Sequence, residues 1–357
     1  MSETTMSEPV GGLPVAPVGD RATMRDVAAL AGVSLKTVSR VVNGETTVAP
    51  ELAERVQRAV ARLAYRPNRT ASNLRRGSAR TGVIGALLQD VSNSFSAGLL
   101  RSLEDQARAR RDVVLTASLD EEAEREHLLV SDLVGRRVDG LVMMPASVDQ
   151  SYLAADVAAG LRVVFVDRQP RGVAADSVTV DNRRGAVMAT NHLLSLGHRR
   201  IAFLADLTSI ETSRERRLGY EAALREAGVD LDPDLVVTGL RTPDAAEEAA
   251  IGLLDGSAHA PTAVFAGRNV VTIGVARALR TLGLSHQVAL VGFDDFPLAE
   301  LLVPGLTVVR QDVARLGREA AEQLYARIEG DTSPPRARVI PPRLVLRGSG
   351  EIAPRRR

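Results

Sequence analysis

Apolar positions along this chain follow two different periods. Met24, Val27, Ala28 and Ala31 fall at i, i+3, i+4 and i+7, the spacing of one buried helical face. A break at Gly32-Val33 follows, and Val38, Val41 and Val42 then repeat the helical spacing. Ser34 stands where its side-chain oxygen accepts from the free N–H groups of the second helix. A third helix opens at Pro50, a favoured first-turn residue. Glu51 and Glu54 suit the positive end of its dipole. Leu52, Val56, Ala59, Val60 and Leu63 form its apolar stripe. Ala49 occupies its cap position and cannot cap, a cost of about 1 kcal/mol. Two short helices joined by a tight turn and backed by a third predict an all-α helix-turn-helix module over residues 21–66.

From Thr81 the period changes. Short apolar runs alternate with amphipathic stretches: VIGALL (83–88), VVLTA (113–117), GLVMM (140–144), RVVFV (162–166), IAFLA (201–205), AVFA (263–266) and VALVGF (288–293). That alternation predicts parallel sheets with helical crossovers. About 265 residues is large for one doubly wound sheet, so two α/β lobes are expected over residues 81–347. Gly228 and Gly283 follow helical stretches as C-terminal caps. Residues 1–20 are polar, Pro- and Gly-rich and aperiodic, and read as a disordered tail. Residues 67–80, PNRTASNLRRGSAR, read as a hinge and linker in which Asn68 caps a short helix ending before Gly77. Residues 348–357 read as a basic C-terminal tail.

Charge divides the chain the same way. The net charge of +1 hides a basic segment: residues 21–80 hold eleven arginines and Lys36 against Asp26, Glu45, Glu51 and Glu54. That segment carries +8 and the remainder −7, which points to a polyanionic partner for the helical module alone. Lys36 is the only lysine in the chain, and it lies on the presumed reading surface of the second helix. Cysteine is absent, which excludes disulfides and thiol chemistry and fits a reducing cytoplasm. No apolar run is long enough to span a membrane, and the N-terminus lacks the apolar core of a signal peptide.

With these residues in view, the chain resembles the lactose-repressor (LacI/GalR) family of transcriptional regulators, from about Thr23 to Arg347. The resemblance is carried by DVAALAGVS-x-x-TVSRVVNG (26–44), AYRPNRTASNLRRG (64–77), VDN-x-x-GA (180–186), HLLSLGHRRIAFL (192–204), ERRLGYEAALREAG (215–228), VALVGFDD (288–295) and LTVVRQD (306–312). It implies a periplasmic-binding-protein-like α/β body of two Rossmann-like lobes with a ligand cleft between them. It also implies that the second helix enters a DNA major groove, with Leu35, Lys36 and Arg40 facing base edges. Arg40 can donate two hydrogen bonds to a guanine, and Leu35 offers apolar contact to a thymine methyl. Ser34, Thr37, Ser39 and Asn43 are then expected on phosphates. In the hinge, Asn68, Ala71 and Leu74 join the DNA contacts, Leu74 as a minor-groove wedge.

For an effector pocket the resemblance selects Phe95, Arg168, Thr212, Arg216, Arg241, Arg268, Asn269 and Asp294. Several follow predicted strands, where open α/β sheets bind ligands. Three departures stand out. The usual NPFF reads Asn93-Ser94-Phe95-Ser96, an expected aromatic near GLRTPD is replaced by Arg241, and the usual Asn-Asp pair after AVFA reads Arg268-Asn269. The effector is expected to be a sugar, sugar acid or sugar phosphate; four arginines around one pocket would make the site cationic and favour the anionic forms, unless some of them point outward or pair with Asp294 and Asp167.

Catalysis finds no support. There is no GxxxxGK[ST] loop, no GxSxG elbow and no HExxH pair. Histidines 127, 192, 198, 259 and 286 lack metal spacing, and His198 reads as structural. Asp294 and Asp295 are strand-end neighbours that should point different ways. No metal or cofactor is expected. The expected function is a cytoplasmic, effector-controlled repressor that binds a pseudo-palindromic operator as a homodimer. The tail has no leucine heptads to make tetramers. The alternative is a solute-binding component of a transport system, which shares the body fold but has no use for the DNA-reading module.

Overall fold

The computed structural model describes residues 22–45, 47–66, 80–254, 256–257 and 259–354. They form two compact units, one within residues 1–80 and the other within 81–357. The hinge positions Asn68, Ala71 and Leu74 lie outside the described residues.

The first unit is a three-helix module of α1 (Met24–Ala31), α2 (Leu35–Val42) and α3 (Pro50–Arg62). Thr23 and Asp26 close a capping box on α1. Gly32 follows α1 at φ +62°, a left-handed conformation that an L side chain resists. A Cβ there would also meet the Arg55 guanidinium at 2.7 Å. Arg55 needs that space, because its Nη2 donates to the Ala31 carbonyl at 2.6 Å and so closes the negative end of α1. Val27, Ala28, Ala31, Val38, Val56 and Ala59 form the core, matching the helical periods. Ala49 makes no side-chain cap on α3.

The second unit holds two six-stranded sheets, each wound around one repeated plan. In the first lobe β1 (Val83–Leu88), β2 (Val113–Ser118), β3 (Gly140–Met143), β4 (Val163–Val166), β5 (Asp176–Val180) and β11 (Ala337–Ile340) pair in the order β2-β1-β3-β4-β5-β11, all parallel. In the second, β6 (Ile201–Leu204), β7 (Val236–Val237), β8 (Ala263–Ala266), β9 (Ala289–Phe293), β10 (Thr307–Arg310) and β12 (Arg343–Val345) pair as β7-β6-β8-β9-β10-β12, with only β12 antiparallel. Each lobe therefore has its topological switch point beside its first strand, between β1 and β3 or between β6 and β8. Ligands of open α/β sheets bind there.

Helices α4 (Ser94–Ala109) and α5 (Ala123–Gly135) cover the first sheet, with the short α6 (Ala154–Ala158) beyond. Helices α7 (Asn182–Ser195), α8 (Glu211–Glu226), α9 (Pro243–Leu253) and α10 (Asn269–Thr281) cover the second. The last helix, α11 (Val313–Ile328), follows β10 yet returns to the first lobe, where Leu316, Ala320, Ala321 and Leu324 enter its core. The chain thus crosses between lobes after β5, after β10 and after β11. The first two crossings are built alike. Asp181 and Asp312 cap α7 and α11, each accepting from an N–H three residues on at 2.9 Å.

The predicted strands are all present, and β5, β7, β10, β11 and β12 add to them. These five are short or interleaved with polar residues; β11 has three exposed positions out of four and makes no continuous apolar run. Residues 348–354 are not a free tail. Ser349 is buried and donates to the Leu290 carbonyl at 2.6 Å, and the Ile352 carbonyl meets His198 Nε2 at 2.8 Å. The sequence there is polar because its side chains make hydrogen bonds to the lobe, not because they face solvent.

Candidate functional site

Side chains from both switch points converge on one cleft between the lobes, a cavity of about 50 Å³. The first lobe contributes Gln89 after β1, Asn93 and Phe95 at the start of α4, Glu121 after β2, and Asp167-Arg168 after β4. The second contributes Asp206 after β6, Thr212 and Arg216 on α8, Arg268 and Asn269 after β8, Asp294 after β9 and Gln311 after β10. Seven of the eight predicted effector positions lie here: Phe95, Arg168, Thr212, Arg216, Arg268, Asn269 and Asp294. Arg241 does not. Its side chain is directed to the Asp120 carbonyl, 3.1 Å away on an exposed edge.

The arginines are paired, and the expectation of a cationic pocket is overturned. Arg168 makes a two-pronged contact with Glu121, at 2.7 and 2.5 Å, and donates to the Pro145 carbonyl at 2.7 Å. Burial opposes its charge, but the Glu121 hydrogen bonds lift its pKa above the ordinary guanidinium value. Arg268 is ion-paired with Asp206 and donates to Gln89 Oε1 at 2.9 Å. Arg216 is 5% exposed. It donates to Asn182 Oδ1 and to the Gly267 carbonyl, both at 2.8 Å, and lies 3.5 Å from Asp294. Its guanidinium stacks 3.7 Å from the centre of the Phe293 ring, a cation–π contact in a desolvated place. Three guanidinium groups thus face four carboxylates, those of Glu121, Asp167, Asp206 and Asp294.

Asp167 and Asp294 hold equivalent places in the two lobes. Each ends the fourth strand of its lobe in the left-handed region, at φ +72° and +71°. Strained backbone of this kind concentrates where a side chain must be aimed. Asp294 is held by Gln311 and Arg216. Asp167 has Arg168 Nε as its ion-pair partner at 3.8 Å, too long for a hydrogen bond. Burial pushes its carboxyl up to about 6, against the pull of Arg168 and Arg216. Gln311 Oε1 and Arg168 Nε are buried with no hydrogen-bond partner among the described residues. The cleft therefore offers acceptors and a donor, closely spaced, without a net excess of positive charge.

Asp295 points away, as strand neighbours must, and is held by Arg310 and Arg347. His198 is fully buried between Thr262 Oγ1 at 2.9 Å and the Ile352 carbonyl. Burial lowers its pKa, as befits a neutral structural imidazole. No group of acidic or histidine side chains among the described residues could hold a metal. The polar and charged cleft residues missed by sequence reasoning are Gln89, Asn93, Glu121, Asp167, Asp206, Ser213 and Gln311. The strand-end rule, applied to every predicted strand, would have reached Gln89, Glu121 and Asp206.

In the first unit, α2 carries the other predicted positions. Leu35, Lys36 and Arg40 are exposed, Leu35 at 45% despite being apolar. Arg40 lies 3.6 Å from Glu45 with both side chains in solvent, a weak tether. Ser34 is occupied as the cap, accepting from the Thr37 N–H at 3.1 Å and touching Thr37 Oγ1 at 3.0 Å. Asn43 Nδ2 donates to Ser39 Oγ at 3.2 Å.

Known proteins place both units. Residues 23–68 match the family of bacterial regulatory proteins, lacI family, and residues 190–350 match the periplasmic binding protein-like domain. The catabolite control protein A of Priestia megaterium is 31% identical over 92% of this chain and 98% of its own. The transcriptional regulator CelR of Thermobifida fusca is 35% identical over 92% of this chain and 98% of its own. The crystal structure of the lac repressor dimer bound to operator and an anti-inducer superposes with a TM-score of 0.80, at 25% identity, over 94% of this chain and all of that one. The chain belongs to the lacI family: it is a ligand-responsive, DNA-binding transcriptional regulator and not an enzyme.

Proposed function

We propose that the chain is a cytoplasmic repressor that holds its operator through α2 and the hinge and releases or tightens that hold when a polyhydroxylated effector occupies the cleft. The carrying observation is the acceptor–donor–acceptor set of Asp167, Arg216 and Asp294. Adjacent hydroxyls can donate to carboxylates and accept from a guanidinium at once, which suits a polyol better than an apolar or purely anionic ligand. Relatives fit this reading, since a structure of CelR, 34% identical to this chain, is a complex with cellobiose.

On the DNA side, Leu35, Lys36 and Arg40 meet base edges, while Ser34, Thr37, Ser39 and Asn43 meet phosphates. Asn68, Ala71 and Leu74 of the hinge add contacts at the operator centre. A homodimer presents two such modules to a pseudo-palindrome. An apolar outer surface of the second lobe supports dimerisation: Leu298, Leu301 and Val303 are 67%, 70% and 79% exposed on one loop. The effector acts by its difference in affinity for two arrangements of the lobes.

A thermal-shift screen of sugars and their acid and phosphate derivatives tests the effector reading. At least one should raise the melting temperature of the wild type and leave Arg216→Leu unmoved. If every polyol is inert while a nucleobase or amino acid stabilises the protein, the reading is wrong.

A further inference from the structure

The cleft does not end at Arg168. Glu121, Arg168 and Ile210 also wall a second compartment of about 110 Å³, against about 50 Å³ for the inner one. At roughly 10–15 Å³ of such space per water, the inner compartment has room for about four waters. A six-membered sugar ring with its hydroxyls displaces more than that. The shared wall places the outer compartment next to a ligand that reaches Arg216 and Asp294, on the far side of the Arg168–Glu121 pair.

The two compartments differ in charge. Apart from the pair they share, the inner one sets Arg216 and Arg268 against Asp167, Asp206 and Asp294. The outer one sets Arg171 and Arg214 against Glu211. Arg171 lies 3.4 Å from Glu211 with 47% of its side chain exposed, a loose pairing. Arg214, on α8 and partly buried, has no side-chain hydrogen bond or ion pair among the described residues. Negative charge is in excess inside and positive charge outside.

We propose that the effector is a polyol bearing an oxyanion, its hydroxyls in the inner compartment and its carboxylate or phosphate on Arg214 and Arg171. This rests on the polyol reading above and gives it a direction. Hydroxyls donate to the inner carboxylates, and the oxyanion accepts from a guanidinium that no protein group satisfies. Guanidinium is suited to this, since its planar fork matches both oxyanions. The arginine-rich sequence thus does select an anion, through Arg214 rather than through Arg168, Arg216 or Arg268, whose charges the protein spends on its own carboxylates.

Calorimetric titration of the full chain with matched sets tests this: glucose, gluconate and glucose 6-phosphate, then galactose, galacturonate and galactose 6-phosphate. In at least one set an anion should bind tenfold or more tightly than its neutral parent, and which anion does so identifies carboxylate or phosphate. Arg214→Gln should cut that advantage below threefold, and Arg214→Lys should restore part of it. Because Arg214 has no protein partner, its variants should melt like the wild type. The proposal is overturned if neutral parents bind as tightly as both anions, or if Arg214→Gln leaves the anion's advantage intact. Failure of every member to bind sinks the polyol reading itself.

Discussion

Asn269→Ala should loosen one of the contacts that hold the two lobes together, beside those of Arg268 with Gln89 and Arg171 with Glu211. Asn93 Nδ2 donates to Asn269 Oδ1 at 3.1 Å, and Asn269 Nδ2 donates to Asn93 Oδ1 at 3.0 Å. The two amides therefore satisfy each other across the cleft. Each also serves its own helix, since Asn93 Oδ1 accepts from the Phe95 N–H and Asn269 Oδ1 from the Val270 N–H. A neutral hydrogen bond contributes on the order of 1 kcal/mol net, so removing this pair costs the closed arrangement about 2 kcal/mol. With the lobes apart, water meets the same groups, so the open arrangement loses little. The ratio of closed to open should then fall by about 30-fold, at 1.4 kcal/mol per factor of ten. Asn269→Asp, which keeps the acceptor and loses the donor, should fall between. The absence of cysteine makes the measurement clean. Spin labels at Glu124→Cys on α5 and Glu248→Cys on α9, both exposed and on opposite lobes, report the interlobe distance by double electron–electron resonance. The wild type should show one dominant short distance and Asn269→Ala an added longer one. Superimposable distributions would refute the reasoning.

Three further outcomes are expected. Asp167 is held near 6 by burial, above the usual carboxylate value, so the fold prefers its protonated form. Its contribution is favourable below about pH 4 and is lost as pH rises through 6, a change of about 3 kcal/mol. Asp167→Asn should raise the melting temperature at pH 7.5 and barely change it at pH 4; equal shifts at both would count against this. Arg40→Ala should weaken operator binding about 10- to 100-fold in fluorescence anisotropy, in line with about 1–3 kcal/mol for one guanine contact, and leave the melting curve unchanged. Ending the chain at Arg347 should destabilise the body by several kcal/mol in urea melts. It removes buried Ser349 and Glu351, which takes hydrogen bonds from His192 at 2.8 Å and Thr307 at 2.8 Å. An unchanged midpoint would mean that these contacts carry no stability.

The helical module was legible because its instructions are local. Val27, Ala28, Ala31 and Val38 mark their buried faces by spacing alone, and Ser34 caps a helix that begins at the next residue. The sheets were legible where a strand is buried on both faces, as in VIGALL. They were hidden where polar residues interrupt the run, as Asp176, Ser177 and Thr179 do in β5 and Arg338 does in β11. Even the cleft was partly legible, because strand ends bind ligands and the strands could be counted.

Charge in the cleft was not legible. From sequence, Arg168, Arg216 and Arg268 add up to a cationic pocket. In the folded body Arg168 meets Glu121 from 47 residues away, and Arg268 meets Asp206 from 62 residues away. Residues 348–354 likewise read as a tail until His198 and Thr307 are seen to receive them. Periodicity and caps act over a few residues and are written in the order of the chain. An ion pair needs only that two groups be brought within a few ångströms, and the order of the strands in the sheet, not their order in the chain, decides which groups those are.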